Sequence, residues 1–244
     1  MSNFNYADYS TKLINSMSLY GVSVSQEQAQ LLLKHLDLVI EKNKVMNLTR
    51  ITNPDDAVVL HVVDSLLPLA SKHYDTSLRS YLDIGTGAGF PGIPLAVMTH
   101  AHGVLIDSVG KKVSAVREFI TELGLGNRVE ACAIRAEELA KTRMGSFDLV
   151  IARAVAQTNT LIEYAAPFLV TGGLLMVCKA NPTDEELSHA DSAASICGLE
   201  NVSRETFELP NGLGHREILT YKKLRKPSIK LPRRVGMAQH EPLG

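Results

Sequence analysis

The sequence predicts an α/β protein in which a mostly parallel sheet follows an N-terminal helical cap and ends in an antiparallel hairpin. From Ser80 onward, short apolar runs alternate with amphipathic segments, a pattern typical of a parallel sheet with helices on both faces. The last two apolar runs, 201–208 and 215–222, are separated by a turn too short for a crossover helix. They should therefore pair antiparallel at the sheet edge.

The cap is predicted from three helical patterns that precede the sheet. Residues 4–20 and 25–46 read as amphipathic helices, and Ser25 with Gln28 forms a capping-box pattern at the start of the second. A third helix is predicted over 54–70, where a proline and two acidic residues mark its start.

Seven strands and three further helices complete the predicted elements. The strands are predicted at 80–84, 103–107, 128–134, 147–153, 172–179, 201–208 and 215–222. The helices are predicted at 110–125, 157–170 and 183–197. We divide the chain accordingly into a helical cap (1–72), a sheet core (73–222) and a basic tail (223–244).

The composition indicates a cytoplasmic protein without a membrane span or a metal centre. No apolar run approaches the roughly 20 residues that cross a bilayer, and the first residues lack the layout of a secretory signal. The three cysteines, Cys132, Cys178 and Cys197, form no CxxC or Cys/His cluster, so we expect reduced thiols and no bound metal.

Positive charge is concentrated at the end of the chain. Residues 222–244 contain seven Lys or Arg residues and one acid, Glu241, although the whole chain has a formal net charge of −1. A basic segment on an acidic body favours a polyanionic partner such as a nucleic acid. A solvated, disordered end is the alternative that the same pattern allows.

Residues 81–95, YLDIGTGAGFPGIPL, combine a buried strand, a glycine-rich turn and the start of a helix. Glycine is needed where φ is positive or where a ligand lies against bare backbone. Such a turn presents N–H groups and the positive end of a helix dipole to a polar ligand. We therefore place the ligand site at this turn.

Two ligand classes fit the glycine spacing. Gly87, Gly89 and Gly92 match the GxGxxG fingerprint of dinucleotide binding. Gly85, Gly87 and Gly89 match the GxGxG loop of class I methyltransferases, which bind S-adenosylmethionine. In either class Asp107, at the end of the next strand, would accept hydrogen bonds from ribose hydroxyls.

Three observations favour the methyl donor over a nicotinamide cofactor. The predicted hairpin replaces the second mononucleotide-binding half that a dinucleotide needs. The segment RAEEL (135–139) offers an acid where an adenine amino group would lie. Asp83, directly before the glycines, suits a sulfonium-bearing amino acid better than a pyrophosphate, which a carboxylate would repel.

Seven segments resemble the family of bacterial 16S ribosomal RNA (guanine-N7) methyltransferases. They are NLTRIT (47–52), HVVDSLLP (61–68), LDIGTGAGFPGIPLA (82–96), LIDSVGKKV (105–113), RAEEL (135–139), VIARAVA (150–156) and HREILTYKK (215–223). The resemblance implies a class I methyltransferase (Rossmann-like) sheet. It also implies methyl transfer from S-adenosylmethionine to N7 of one guanine in 16S rRNA, either free or in the small ribosomal subunit. We expect a monomer.

The resemblance further implies cofactor contacts by matched position, at Gly85, Phe90, Ala136, Glu137 and Arg153. The glycine-loop argument adds four residues, Asp83, Gly87, Gly89 and Asp107.

Two positions depart from the family pattern. The family commonly has Arg where this chain has Leu60, and often has Gly where it has Ala180. The first departure removes one phosphate or base contact.

Two alternative functions remain open from the sequence. Another RNA or a small molecule is the alternative methyl acceptor, and an NAD-dependent oxidoreductase is the alternative enzyme.

Methyl transfer to guanine N7 needs alignment and no general base, because N7 carries a lone pair and no proton. Arg153 and Lys179 end two predicted strands at the carboxyl edge, where ligands bind in such sheets. His61 shares one side of the third helix with Asp64. We predict Arg153, Lys179 and His61 as the catalytic group and Arg216 as a candidate RNA contact. A surface ion pair or a packed histidine is the structural alternative.

Overall fold

The computed structural model describes residues 6–244, whose strands form a seven-stranded sheet. The strands are β1 (Ser80–Ile84), β2 (His102–Asp107), β3 (Val129–Ala133), β4 (Phe147–Arg153), β5 (Leu169–Lys179), β6 (Leu199–Glu208) and β7 (His215–Lys223). Their order is β3-β2-β1-β4-β5-β7-β6. Strands β1 to β5 pair in parallel, and β7 is antiparallel to both neighbours. The predicted fold class is confirmed.

The C-terminal hairpin is antiparallel as predicted, but its second strand is the inner one. β7 lies between β5 and β6, with Lys179 opposite Glu217. The run 218–221 of β7 is buried throughout, whereas only two residues of β6, Leu199 and Ser203, are buried. A continuously buried strand belongs inside a sheet, so β6 forms the edge.

Helices cover the sheet in ten segments among the described residues. They are α1 (Tyr6–Ser18), α2 (Gln26–Asn43), α3 (Pro54–Ala57), α4 (Asp64–Leu66), α5 (Gly92–Met98), α6 (Gly110–Glu122), α7 (Ala136–Leu139), α8 (Thr158–Ala165), α9 (Asp184–Cys197) and α10 (Met237–His240). Residues 4 and 5 of the predicted first helix lie outside the described residues. The helix predicted to reach residue 170 ends at Ala165, because Pro167 cannot continue it.

The predicted third helix is helical from Pro54 to Ala70 but irregular. A π-helical turn, Val58–Val63, separates α3 from α4, and a 3-10 turn, Leu67–Ala70, follows. Asn53 begins the helix by accepting hydrogen bonds from two backbone N–H groups. π-Helical turns are frequent at functional sites, and this one carries His61.

Two hydrophobic clusters lie on the two faces of the sheet, as the alternation of Tyr81 and Leu82 along β1 requires. The first joins the cap helices to α5 and α6. The second contains α8, α9 and two residues of the tail, Leu231 and Ala238. The tail is therefore packed against the body of the protein. Within residues 6–244, no helix is long and apolar enough to cross a membrane.

Candidate functional site

A pocket of about 480 Å³ opens at the carboxyl ends of β1, β2 and β4. This volume is in the range of small-molecule sites. The position is the point where the strand order reverses, which is where ligands bind in open α/β sheets. Eight of the predicted site residues line it, namely His61, Gly85, Gly87, Phe90, Asp107, Ala136, Glu137 and Arg153.

The glycine loop presents bare backbone to this pocket. Gly85 and Gly87 have φ values of +73° and +59°, which favour glycine. A Cβ on Gly85 would lie 2.4 Å from Cγ2 of Val155, so close packing also requires glycine there. A Cβ on Gly87 would meet no other group nearer than 3.9 Å, because Gly87 faces open space.

Asp107 is the last residue of β2, and its carboxylate is hydrogen-bonded to the glycine loop. Its Oδ2 accepts the N–H of Gly87 at 3.1 Å, and its Oδ1 accepts the N–H of Val109 at 2.8 Å. An ionised carboxylate has about four acceptor sites. Asp107 can therefore also accept hydrogen bonds from hydroxyl groups of a ligand.

Asp83, in β1, and Gly89, in the loop, lie outside the pocket lining. Asp83 is fully buried, and its Oδ2 accepts the N–H of Gly92 at 2.9 Å. Burial raises the pKa of Asp83 to about 6, and the hydrogen bond from the N–H of Gly92 opposes that shift. A Cβ on Gly89 would lie 2.7 Å from Cδ1 of Ile93. Both residues therefore support the conformation of the loop from inside the fold.

The structure does not bring Lys179 to the pocket. Its Nζ forms an ion pair with Oε1 of Glu186 at 2.6 Å and donates to the carbonyl of Ala156 at 3.2 Å. The same carboxylate accepts hydrogen bonds from the backbone and hydroxyl of Thr158. Lys179 therefore links β5 to the starts of α8 and α9.

Asp64 joins two arginines at the rim of the pocket. Its Oδ2 accepts from Nη1 of Arg153 at 2.9 Å, and its Oδ1 accepts from Nε of Arg216 at 2.9 Å. The three side chains are between 8% and 18% exposed. Ala154, which follows Arg153, has a φ of +56°, an unfavourable value for alanine that is typical of functional sites. This network connects the cap with β4 and β7.

Phe90 contacts three functional groups at the other side of the same rim. The centroid of its ring lies 4.4 Å from that of His35 and 5.0 Å from that of His61, which stacks on it. The guanidinium carbon (Cζ) of Arg153 lies 5.5 Å from the same centroid. His35 Nε2 donates to the carbonyl of Ala88 in the glycine loop at 3.0 Å, since a carbonyl can only accept. Sequence analysis missed His35, whose only signal is a polar residue on the apolar face of α2.

Burial keeps both histidines neutral. It lowers the pKa of His35 to about 3, and burial together with the charge of Arg153 lowers the pKa of His61 to about 4. Neutral imidazoles add no further positive charge to the arginine network. Within residues 6–244, no group of three or more His, Cys, Asp or Glu side chains could hold a metal ion.

We expect the stability of the protein to fall as the pH drops below about 6.5. The unfolded chain then binds protons that folded His35 and His61 do not, which costs up to about 1.4 kcal/mol per pH unit for each histidine. Asp83 opposes this in part, because its raised pKa makes the folded state bind a proton between about pH 6 and 4. The substitution His35→Gln should reduce the slope of the free energy of unfolding against pH by about one proton, or about 1.4 kcal/mol per pH unit. Urea unfolding at several pH values between 6 and 5 measures this slope. Equal slopes in the wild-type protein and in His35→Gln would contradict the assignment.

The chain matches the family model described as "rRNA small subunit methyltransferase G" over residues 28–218. It is 36% identical over 235 residues to Ribosomal RNA small subunit methyltransferase G of Carboxydothermus hydrogenoformans, covering 95% of this chain and 99% of the relative. It is 37% identical over 234 residues to the protein of that name from Staphylococcus epidermidis, covering 95% and 97%. The crystal structure of M. jannaschii TYW2 in complex with AdoMet shares the fold, with a TM-score of 0.54 and 15% identity over 72% of this chain and 80% of that one.

Proposed function

The chain belongs to the rRNA small subunit methyltransferase G family, and we propose that it transfers a methyl group from S-adenosylmethionine to N7 of one guanine in small-subunit ribosomal RNA. Family membership removes the NAD-dependent oxidoreductase alternative. The observation that carries the proposal is the pocket in which Gly87 exposes bare backbone opposite Asp107. We further propose that the enzyme acts in the cytoplasm as a monomer.

The residues around the pocket fit this methyl donor from end to end. Asp107, Ala136 and Glu137 all line the pocket, where Asp107 would accept the ribose hydroxyls and Ala136 with Glu137 would contact the adenine. Gly85 and Phe90 line the opposite part, where the amino-acid portion would lie. When bound, S-adenosylmethionine supplies an electrophilic methyl group on a sulfonium.

The protein contributes alignment and charge to the reaction. Guanine N7 attacks with its own lone pair, so no residue needs to remove a proton. Arg153 would bind the guanine O6 or a phosphate, and the carboxylate of Asp64 offsets part of its charge. His61 is neutral above about pH 4, so it does not repel the positive charge that develops on the guanine.

A labelling experiment tests the reaction directly. The protein is incubated with labelled S-adenosylmethionine and either naked 16S rRNA or small subunits that lack the modification. Chemical cleavage at N7-methylguanine then maps the modified base. We expect one N7-methylguanine, and the better of the two substrates identifies free RNA or assembled particle as the acceptor. Methylation of another atom, or of a small molecule only, would contradict the proposal.

The tail contributes exposed positive charge to the proposed RNA surface, although three of its cations make internal contacts. Arg233 pairs with Glu163, Lys223 donates to the carbonyl of Ala166, and Arg225 donates to the carbonyl of Ser195. The exposed cations of residues 222–244 are Lys222, Arg225, Lys226, Lys230 and Arg234.

Replacing three of these cations with glutamine (Lys226, Lys230 and Arg234) should weaken RNA binding without unfolding the protein. Each phosphate contact contributes about 0.7 to the slope of log affinity against log salt for single-stranded RNA, so the slope should fall by about 2. The measurement is RNA binding across a salt series. As a control, three exposed lysines elsewhere are changed to glutamine, namely Lys12, Lys72 and Lys141. An equal change of slope in both variants would remove the tail from the RNA surface.

A further inference from the structure

Residues 224–244, the C-terminal segment, pack along helices α8 and α9. Nδ2 of Asn159 donates to the carbonyl of Leu243 at 3.0 Å, and Oγ1 of Thr160 donates to the carbonyl of Ala238 at 3.1 Å. Asn159 and Thr160 are themselves buried. The segment is therefore part of the folded body on both sides of α10.

A buried ion pair holds the turn that leads into α10. Arg233 Nε donates to Oε1 of Glu163 at 2.7 Å, and its Nη2 donates to the carbonyl of Glu241 at 2.8 Å. Glu163 is only 4% exposed. A carboxylate buried to this degree needs its partner, so the position of Arg233 is strongly determined.

This turn brings the segment to the pocket. The N–H of Gly236 donates to Oε1 of Glu137 at 2.8 Å, and Gln239 lines the pocket beside Ala136, Glu137 and Tyr164. Glu137 is buried, yet a carboxylate has acceptor sites for more than one donor. It can therefore hold the Gly236 N–H and receive an amino group of a ligand together.

We propose that Gln239 is a further cofactor-binding residue and that the C-terminal segment forms the wall of the pocket around the adenine. This inference rests on the proposed function, because the adenine end is assigned through Ala136 and Glu137. A glutamine amide offers one donor and one acceptor group, which match N7 and the 6-amino group of adenine. Gly236 orients the Glu137 carboxylate that accepts from the same amino group.

Calorimetry on full-length variants tests the contact. Gln239→Ala should bind S-adenosylhomocysteine about ten-fold more weakly, the combined effect of its two lost hydrogen bonds. The loss should be the same for 5′-deoxy-5′-methylthioadenosine, which keeps the adenine and lacks the amino-acid portion. The matched control is His240→Ala, an exposed neighbour on the same helix that does not line the pocket. Unchanged affinity in Gln239→Ala, or an equal loss in His240→Ala, would overturn the inference.

Hydrogen exchange of the wild-type protein separates this inference from the proposed function. S-Adenosylhomocysteine should slow exchange in a peptide over the glycine loop (82–95) and in a peptide over 233–241. Protection of the loop alone would overturn the role of the C-terminal segment and leave the methyltransferase assignment intact. Protection of neither peptide at saturating ligand would contradict both.

Discussion

Replacing Gly87 with aspartate should abolish measurable binding of S-adenosylmethionine while leaving the protein folded. The new side chain would extend into the pocket, because a Cβ at this position meets no other group nearer than 3.9 Å. The N–H of Gly87 already donates to the carboxylate of Asp107 at 3.1 Å, so two carboxylates would then lie close together. Steric exclusion and the extra charge together predict a loss of affinity of at least about 1,000-fold, which corresponds to about 4 kcal/mol.

Calorimetric titration with S-adenosylhomocysteine measures this loss, and thermal unfolding measures stability. Gly124→Asp is the matched control, since Gly124 also has a positive φ (+68°), also faces open space, and does not line the pocket. Both variants should be destabilised by about 1 kcal/mol, because aspartate tolerates the left-handed conformation better than most residues. Wild-type affinity in Gly87→Asp would contradict the assignment of the loop.

The glycine loop could be predicted from sequence because every feature that forms it is local. The strand, the glycines and the first turn of α5 follow one another within residues 81–95, and their spacing alone indicates the backbone conformation. The alternation of strands and helices likewise determined the parallel part of the sheet. Asp107 could be assigned because the ends of neighbouring parallel strands meet at one edge.

The arginine network and the wall of the C-terminal segment could not be predicted in this way. Asp64 lies 89 positions from Arg153 and 152 positions from Arg216, and no local pattern connects them. Likewise, Gly236 lies 99 positions from Glu137. The charge of the tail indicated a polyanionic partner or a solvated end, whereas the structure uses part of that charge to fix the tail on buried Glu163. Long-range pairing of this kind depends on packing, which composition does not report.

Lys179 illustrates why the carboxyl edge alone does not define a site. It ends a strand at that edge, as Arg153 does, but the two strand ends have different neighbours. Arg153 lies on β4, beside the glycine strand β1, whereas Lys179 lies on β5 and pairs with Glu186. The distance from the glycine loop, which depends on strand order, decides which of the two lines the pocket.

Replacing Asp64 with asparagine should reduce methyl transfer far more than it reduces cofactor binding. The carboxylate holds Arg153 and Arg216 through separate oxygens at 2.9 Å each, and asparagine can accept from only one of them. The two guanidinium groups would then repel each other, and Arg153 would leave the rim beside Phe90. A misplaced positioning group costs about 100-fold in rate, and breaking a nearly buried ion pair costs about 3 kcal/mol of stability.

Single-turnover methylation, calorimetry and urea unfolding on Asp64→Asn separate a role in the reaction from a role in folding. Below the unfolding transition, we expect the rate to fall about 100-fold while the affinity for S-adenosylhomocysteine changes only a few-fold. Asp55→Asn is the control, because Asp55 lies in the same cap and pairs with Lys12 at 3.0 Å, but is 58% exposed. That variant should lose less than about 1 kcal/mol and keep its rate. A wild-type rate in folded Asp64→Asn would mean that the network holds the cap on the sheet and does not position Arg153 for the guanine.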